Sequence, residues 1–104
     1  MTTFDKRKEG FEQQFAHDEE LKFKANARRN KLVGLWAAQK LGLAGPDAEV
    51  YAKDVVLAEI EGTGVVAKLR KDFDARHVAQ SDHQIKRTMD ELMAHAVAQI
   101  KAGK

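Results

Sequence analysis

Apolar residues recur at helical spacing through most of the chain and predict four helices. The first begins at Asp18 and runs for about 25 residues, or about 37 Å. Its acidic first turn suits the positive end of the helix dipole, and Gly42 provides a stop. It has two apolar faces, one formed by Leu21, Ala25, Leu32, Leu35 and Trp36 and the other by Phe23, Ala27, Gly34, Ala37 and Leu41. Because small residues dominate the centre of the second face, that face suits the close approach of another helix.

Gly45-Pro46 marks the start of a second helix, since proline is best tolerated at the first helical position. This helix ends near Gly62. Its apolar residues point in two directions, with Val50, Val56, Leu57 and Ile60 on one side and Tyr51, Val55 and Ala58 on another. The pattern predicts a helix that is packed on more than one side.

The last two helices each follow a capping residue. Thr63 is predicted to cap the third, whose apolar stripe is formed by Val65, Val66, Leu69 and Phe73. Ser81 is predicted to cap the fourth, which ends before Gly103 and presents one core face made of Ile85, Met89, Leu92, Ala96 and Ile100. Four helices with short connections predict an all-α protein with a mostly antiparallel four-helix bundle over residues 18–104.

The first seventeen residues have a different pattern. Phe4, Phe11 and Phe15 would share one helical face within about 40°, but Gly10 interrupts it. Extending this phase leaves Leu21 about 100° away, so one unbroken helix cannot send both apolar stripes into one core. We therefore interpret residues 1–17 as a weakly ordered arm that becomes helical on a partner. The alternative, a fifth element folded back onto the bundle, is disfavoured by the same mismatch.

Composition narrows the class of protein. A chain of 104 residues is expected to form one domain, and 18 basic against 16 acidic residues argue against a polycationic nucleic-acid surface. The absence of cysteine excludes disulfides and thiolate zinc sites. No apolar run reaches the roughly 20 residues of a bilayer span, and the N-terminal residues are too charged for a signal peptide. These features predict a soluble cytoplasmic protein with no direct membrane insertion.

No catalytic or metal-binding pattern emerges from the histidines or hydroxyl residues. His17 precedes acidic residues that suit a helix start, and His95 follows Glu91 at a spacing typical of an exposed pair. His77 and His83 flank a short connection without a third ligand. The one serine has a capping role. The sequence therefore predicts no enzyme activity, no metal and no cofactor.

Two polar clusters remain as candidate binding sites. The first, Gly62, Thr63, Gly64 and Lys68, could bind a nucleotide phosphate at a helix N-terminus, but a glycine stop followed by a threonine cap gives the same letters. The second is a basic cluster formed by Lys22, Lys24, Arg28, Arg29 and Lys31. It could contact phosphates or an acidic protein groove, as in a helical adaptor or nucleic-acid-binding module, or it could be a solvated face. Arg28 falls inside the apolar stripe, so we expect it to snorkel or to pair with a carboxylate.

A resemblance to a known family is carried by two stretches, TTFDKRKEGFEQQFAHDEELKFKANARRNKLVGLWAAQKLGL and the later YAKDVV. They are similar to the zeta-subunit inhibitors of the F-type ATP synthase of alphaproteobacteria, and the resemblance extends to the C-terminus. It implies a four-helix fold and an arm that enters an alpha/beta catalytic interface beside gamma, blocking rotation and ATP hydrolysis. It also implies weak ATP or ADP binding and a peripheral association with the membrane through the ATP synthase.

Carried onto this chain, the resemblance places the inhibitory arm from Thr2 to about Phe15. The expected partner-binding residues are the apolar anchors Phe4, Phe11 and Phe15 and the charged residues Lys6, Arg7 and Lys8. The implied partners are the alpha, beta and gamma subunits, and no nucleic acid is expected.

Overall fold

The computed structural model describes residues 18–104, and in this part of the chain the predicted all-α four-helix fold is confirmed. The four helices are α1 (Glu19–Lys40), α2 (Pro46–Ile60), α3 (Val65–Ala75) and α4 (Asp82–Lys101). No strand occurs among the described residues. The predicted arm, residues 1–17, lies outside them, so the division into an arm and a bundle stays a prediction.

Short-range hydrogen bonds set two of the helix starts as predicted. The Asp18 carboxylate accepts hydrogen bonds from the backbone N–H groups of Glu20, at 2.9 Å, and Leu21, at 3.1 Å. At the start of α4, the Ser81 hydroxyl accepts from the backbone of Gln84, whose side chain accepts from the Ser81 backbone in return. These contacts satisfy N–H groups that the first helical turn would otherwise leave unpaired.

The predicted threonine cap of α3 is wrong. The residue before the helix is Gly64, with φ 89°, and Thr63 is exposed without a capping hydrogen bond. The backbone N–H of Val65 instead donates to the carboxylate of Glu59, at 3.1 Å. Two positive-φ glycines, Gly62 and Gly64, turn the chain so tightly that the last turn of α2 supplies the cap.

Each of the four helices packs against two others. α1 lies against α2 and α4, and α3 lies against the same two helices. Residues near the start of α1 contact the end of α4, since Arg28 donates a hydrogen bond to Gln99. The end of α2 likewise meets the start of α3 through Glu59 and Val65. These contacts are those of antiparallel neighbours joined by short connections.

All four helices contribute to one core. The largest fully buried side chains are Val33 from α1, Val55 from α2, Leu69 and Phe73 from α3 and Ile85 from α4. Trp36 packs edge-on against Phe73, with ring centroids 5.8 Å apart and an interplanar angle of 86°. The shortest helix, α3, thus fills the centre of the bundle.

α1 and α2 approach each other closely where Gly34 of α1 meets Ala52 of α2. A Cβ atom added to Gly34 would lie 2.6 Å from the Cα of Ala52, well inside van der Waals contact. The expectation that the small-residue face of the first helix admits a close neighbour is therefore confirmed.

α2 packs against both α1 and α3, but the predicted burial of its Val50, Leu57 and Ile60 side chains is wrong, and Val56 beside them is half-buried. Tyr51, Val55 and Ala58 are buried, but Val50, Leu57 and Ile60 are exposed by 59%, 48% and 67%. The physical reason is that α1 and α3 cover adjoining sides of α2, whereas α4 packs across α1. In the described part of the chain, no helix covers the remaining side of α2.

We predict that Gly34→Ala destabilises the bundle although alanine is the better helix former. Alanine gains up to about 1 kcal/mol in helix propensity, but the methyl group must push the two backbones apart at a net cost of about 1–3 kcal/mol. Urea denaturation followed by circular dichroism measures the change. Because the clashing atom is a main-chain carbon, adding Ala52→Gly should not restore stability; full recovery in the double variant would contradict the proposed clash.

Candidate partner-binding site

The six residues predicted to bind a partner lie outside the described residues. They are Phe4, Lys6, Arg7, Lys8, Phe11 and Phe15. Their role stays a prediction. The described part of the chain begins at Asp18, whose backbone is extended, with φ −94° and ψ 108°.

Three adjoining grooves lie along the first half of α1, with volumes of about 690, 330 and 310 Å³. Val56 of α2 lines all three. Phe23 and Ala27 of α1 line the two larger grooves, and Lys31 lines the first and the third. We call this continuous surface the α1–α2 groove. Sequence periodicity identified its apolar residues but assigned those of α2 to the interior.

Part of the predicted basic cluster is paired within its own helix. Lys22 lies 3.6 Å from Glu19 and Lys24 lies 3.2 Å from Glu20, in solvent-exposed pairs. Such pairs contribute little to stability, typically about 0.2–1 kcal/mol. This arrangement is that of a solvated helix face.

Arg28 has partners that the sequence did not indicate. Its guanidinium donates to the side-chain oxygen of Gln99, at 3.0 Å, and to the backbone oxygen of Lys104, at 2.7 Å. The half-buried side chain carries its guanidinium to polar atoms at the surface, as expected for snorkelling, and none of the described acidic side chains pairs with it. The contact joins α1 to the end of α4, a pairing across the fold that helical periodicity cannot reveal.

The predicted nucleotide-binding residues Gly62, Thr63, Gly64 and Lys68 lie together at the start of α3. Their backbone donors are largely used within the protein. The N–H groups of Thr63 and Gly64 donate to the Ala58 carbonyl, at 3.0 and 3.1 Å, and that of Val65 donates to Glu59. An incoming phosphate would have to displace a carboxylate at the helix N-terminus. Nucleotide binding at this position stays a prediction.

Lys68, in the first turn of α3, belongs to a half-buried polar cluster. The Asp72 carboxylate oxygen accepts a hydrogen bond from the Tyr51 hydroxyl, at 2.8 Å, and lies 3.0 Å from the Lys68 ammonium. The same ammonium lies 5.3 Å from the centre of the Tyr51 ring, within cation–π range. Burial and the hydrogen bond to Asp72 raise the pKa of Tyr51 well above its ordinary value. The cluster joins α2 to α3.

The described histidines, His77, His83 and His95, are all exposed. Among residues 18–104, no three histidine or acidic side chains come close enough to form a metal site. None of the four helices combines the length and apolar character needed to cross a bilayer.

The fold and its surface thus define a small all-α bundle whose polar clusters connect helices and whose apolar groove is open. The family model for ATPase inhibitor subunit zeta matches residues 1–99, and the chain belongs to this family. The resemblance seen in the sequence is thereby confirmed. Membership makes the chain an inhibitor subunit associated with an ATP synthase, which is the role of a regulatory protein. A search of curated protein sequences finds no significant match.

We predict that Tyr51→Phe destabilises the bundle by about 1.5–3 kcal/mol, the usual contribution of a hydrogen bond to a charged acceptor. In this variant Lys68 still neutralises the charge of Asp72. The loss of stability should therefore be smaller than the loss caused by removing the Asp72 carboxylate. Chemical denaturation of the two proteins at neutral pH provides the measurement. An unchanged free energy of unfolding would show that the hydroxyl contributes nothing to the α2–α3 contact.

The same tyrosine predicts a dependence of stability on alkaline pH. A raised pKa in the folded state means that Tyr51 keeps its proton while the unfolded chain loses it above pH 10.0, the ordinary value. Stability should therefore fall as the pH rises above about 10. The Tyr51→Phe variant should show a shallower fall in denaturation midpoints. Parallel curves for the two proteins would contradict the assignment.

Proposed function

We propose that this chain inhibits ATP hydrolysis by the F-type ATP synthase through its first seventeen residues. In this proposal the arm enters an alpha/beta catalytic interface next to gamma, and the bundle remains outside and obstructs rotation in the hydrolytic direction. The observation that carries the proposal is the family match, which extends over the arm and the bundle alike, from residue 1 to residue 99. The protein would act in the cytoplasm, held at the membrane through the enzyme.

The core of the described residues supports this division of labour. It is built from side chains of α1 to α4 together with Leu41, Leu43 and Val78 from their connections. Asp18 caps α1 with an extended backbone, so the chain before it need not continue the axis of that helix. A stable body can thus carry a segment that takes its conformation from a partner.

The arm's composition supports reversible binding. Burying three phenylalanines stabilises a complex by about 5–9 kcal/mol. Ordering a dozen or more residues of the arm costs conformational entropy, which offsets much of that gain. Modest affinity follows, as suits an inhibitor that must be released.

The nucleic-acid alternative receives less support from the structure. Lys22 and Lys24 lie beside acidic partners, and Arg28 is engaged with the end of α4. A binding site for a phosphate backbone would need these cations facing solvent in a continuous row. The basic surface that remains borders an apolar groove, which is better suited to a protein.

The main test measures ATP hydrolysis by the cognate enzyme with the full chain and with a chain lacking residues 1–15. We predict that removal of these residues abolishes inhibition, because the arm supplies the contacts at the catalytic interface. Circular dichroism should show that the bundle helices remain. Equal inhibition by both proteins would contradict the arm mechanism.

A second measurement separates the arm's charged contacts from a general effect of lost charge. Replacing Lys6, Arg7 and Lys8 together by alanine should weaken inhibition about tenfold or more. A matched control replaces three exposed basic residues of α3 and α4 by alanine, namely Lys71, Lys86 and Arg87. The control should inhibit like the unmodified chain. Equal losses in both variants would point to net charge and not to the arm.

A further inference from the structure

The α1–α2 groove is an apolar surface that no described helix covers. Phe23 and Ile60, each 67% exposed, line one of its three component grooves, and Leu57 lines another. Exposed apolar side chains of this size that lie together, unlike scattered ones, are characteristic of binding sites. The groove lies along the first half of α1, the helix that follows the arm in the sequence.

Charge along the groove has one predominant sign. Six basic residues line it, Lys24, Arg28, Arg29, Lys31, Lys53 and Lys104, and the acidic ones are Glu49 and Glu59. Among the described residues, Lys24 is the one member of the basic set paired with a carboxylate. Arg28 donates to the side-chain oxygen of Gln99 and to the backbone oxygen of Lys104, and Arg29 donates to the side-chain oxygen of Asn30. Glu59 accepts a hydrogen bond from the backbone of Val65 and keeps its charge, so positive charges along the groove still outnumber negative ones.

The shape of the groove fits a helix. On α1, Phe23, Ala27 and Lys31 follow one another at intervals of four residues and span about 12 Å. On α2, the lining from Glu49 to Ile60 spans about 16 Å. The open seam between two antiparallel helices with an apolar floor is the geometry that receives an amphipathic helix of two to three turns.

Charge distinguishes between the three occupants that fit this shape. A second copy of the chain would place one basic groove against another, which is repulsive. Residues 1–17 carry Asp5, Glu9 and Glu12 against Lys6, Arg7 and Lys8, so their side-chain charges cancel. We propose that the groove binds an acidic amphipathic helix of the ATP synthase. The proposal rests on the inhibitory function above and gives the bundle its own attachment, separate from the arm.

Two double variants of the full-length chain test the two components of the groove. Lys31→Glu with Lys53→Glu reverses the charge, and Phe23→Ser with Ile60→Ser removes the apolar contact. All four side chains are exposed, so the fold should survive. Each variant should bind purified ATP synthase about tenfold more weakly or worse. The concentration for half-maximal inhibition should rise in parallel, while inhibition at saturation should be unchanged because the arm is intact.

Matched controls exist for both variants. Lys86→Glu with Arg87→Glu reverses two charges on exposed positions of α4 that line none of the three grooves. Val50→Ser removes an exposed apolar residue of α2 that lines none of the three grooves. Both controls should bind within about twofold of the unmodified chain. If charge attraction contributes to binding, added salt should weaken binding of the unmodified chain because it screens that attraction. Binding of the Lys31→Glu/Lys53→Glu variant should no longer depend on salt in this way.

A photoreactive cross-linker at position 57 identifies what lies in the groove. Cross-linking to an acidic, helical segment of the ATP synthase is the expected result. Linkage to a basic or extended segment would overturn the proposal, as would linkage to residues 1–17 or to a second copy of the chain. Unchanged affinity in both groove variants would also overturn it, even if the full chain inhibits. If the full chain binds through the groove without inhibiting, the proposed function fails and the groove assignment stands.

Discussion

The close contact between Gly34 and Ala52 is the constraint on which the rest of the bundle depends. With main-chain atoms this close, α1 and α2 have little freedom to slide or rotate against each other. The pairing fixes which side of α1 remains for α4 and which side of α2 remains for α3. It also leaves the strip from Phe23 to Lys31 beside Val56 and Leu57, so the open groove follows from the same contact that compacts the core.

The helix that contributes most to the centre of the core beside this pair is α3. It is 11 residues long, yet it supplies Leu69 and Phe73 to the core and receives the edge of Trp36. A helix this short has little stability by itself, so its position must come from packing. The Asp72 contacts with Tyr51 and the Glu59 cap provide polar attachments at two points along its length. Removing charge from either carboxylate would therefore affect the core indirectly, through the placement of α3.

Sequence reasoning reached the helices and most of their ends because capping and periodicity are local. Asp18, Ser81 and Pro46 each act within a few residues of the boundary they set. The failures involve contacts between distant positions: Glu59 replaced the expected cap across a glycine turn, and Tyr51 meets Asp72 from 21 residues away. Periodicity also marks a face as apolar without saying whether another helix covers it, which is why the exposed side of α2 was assigned to the interior. The residues predicted to inhibit came from family resemblance, since their pattern alone indicates only an amphipathic segment.

The hydrogen bonds from Arg28 have a consequence for how the chain folds. The two hydrogen bonds span sequence separations of 71 and 76 residues. The stretch of chain between their partners therefore contains nearly all of the bundle. Closing so long a loop carries a larger entropy cost than closing the short connections between consecutive helices. We therefore expect the hairpin of α1 and α2 to assemble early and the seam between α1 and α4 to close late. In a nascent chain, the side of α1 that packs against α4 would stay uncovered until the last helix emerged. Docking of α4 would then complete the fold.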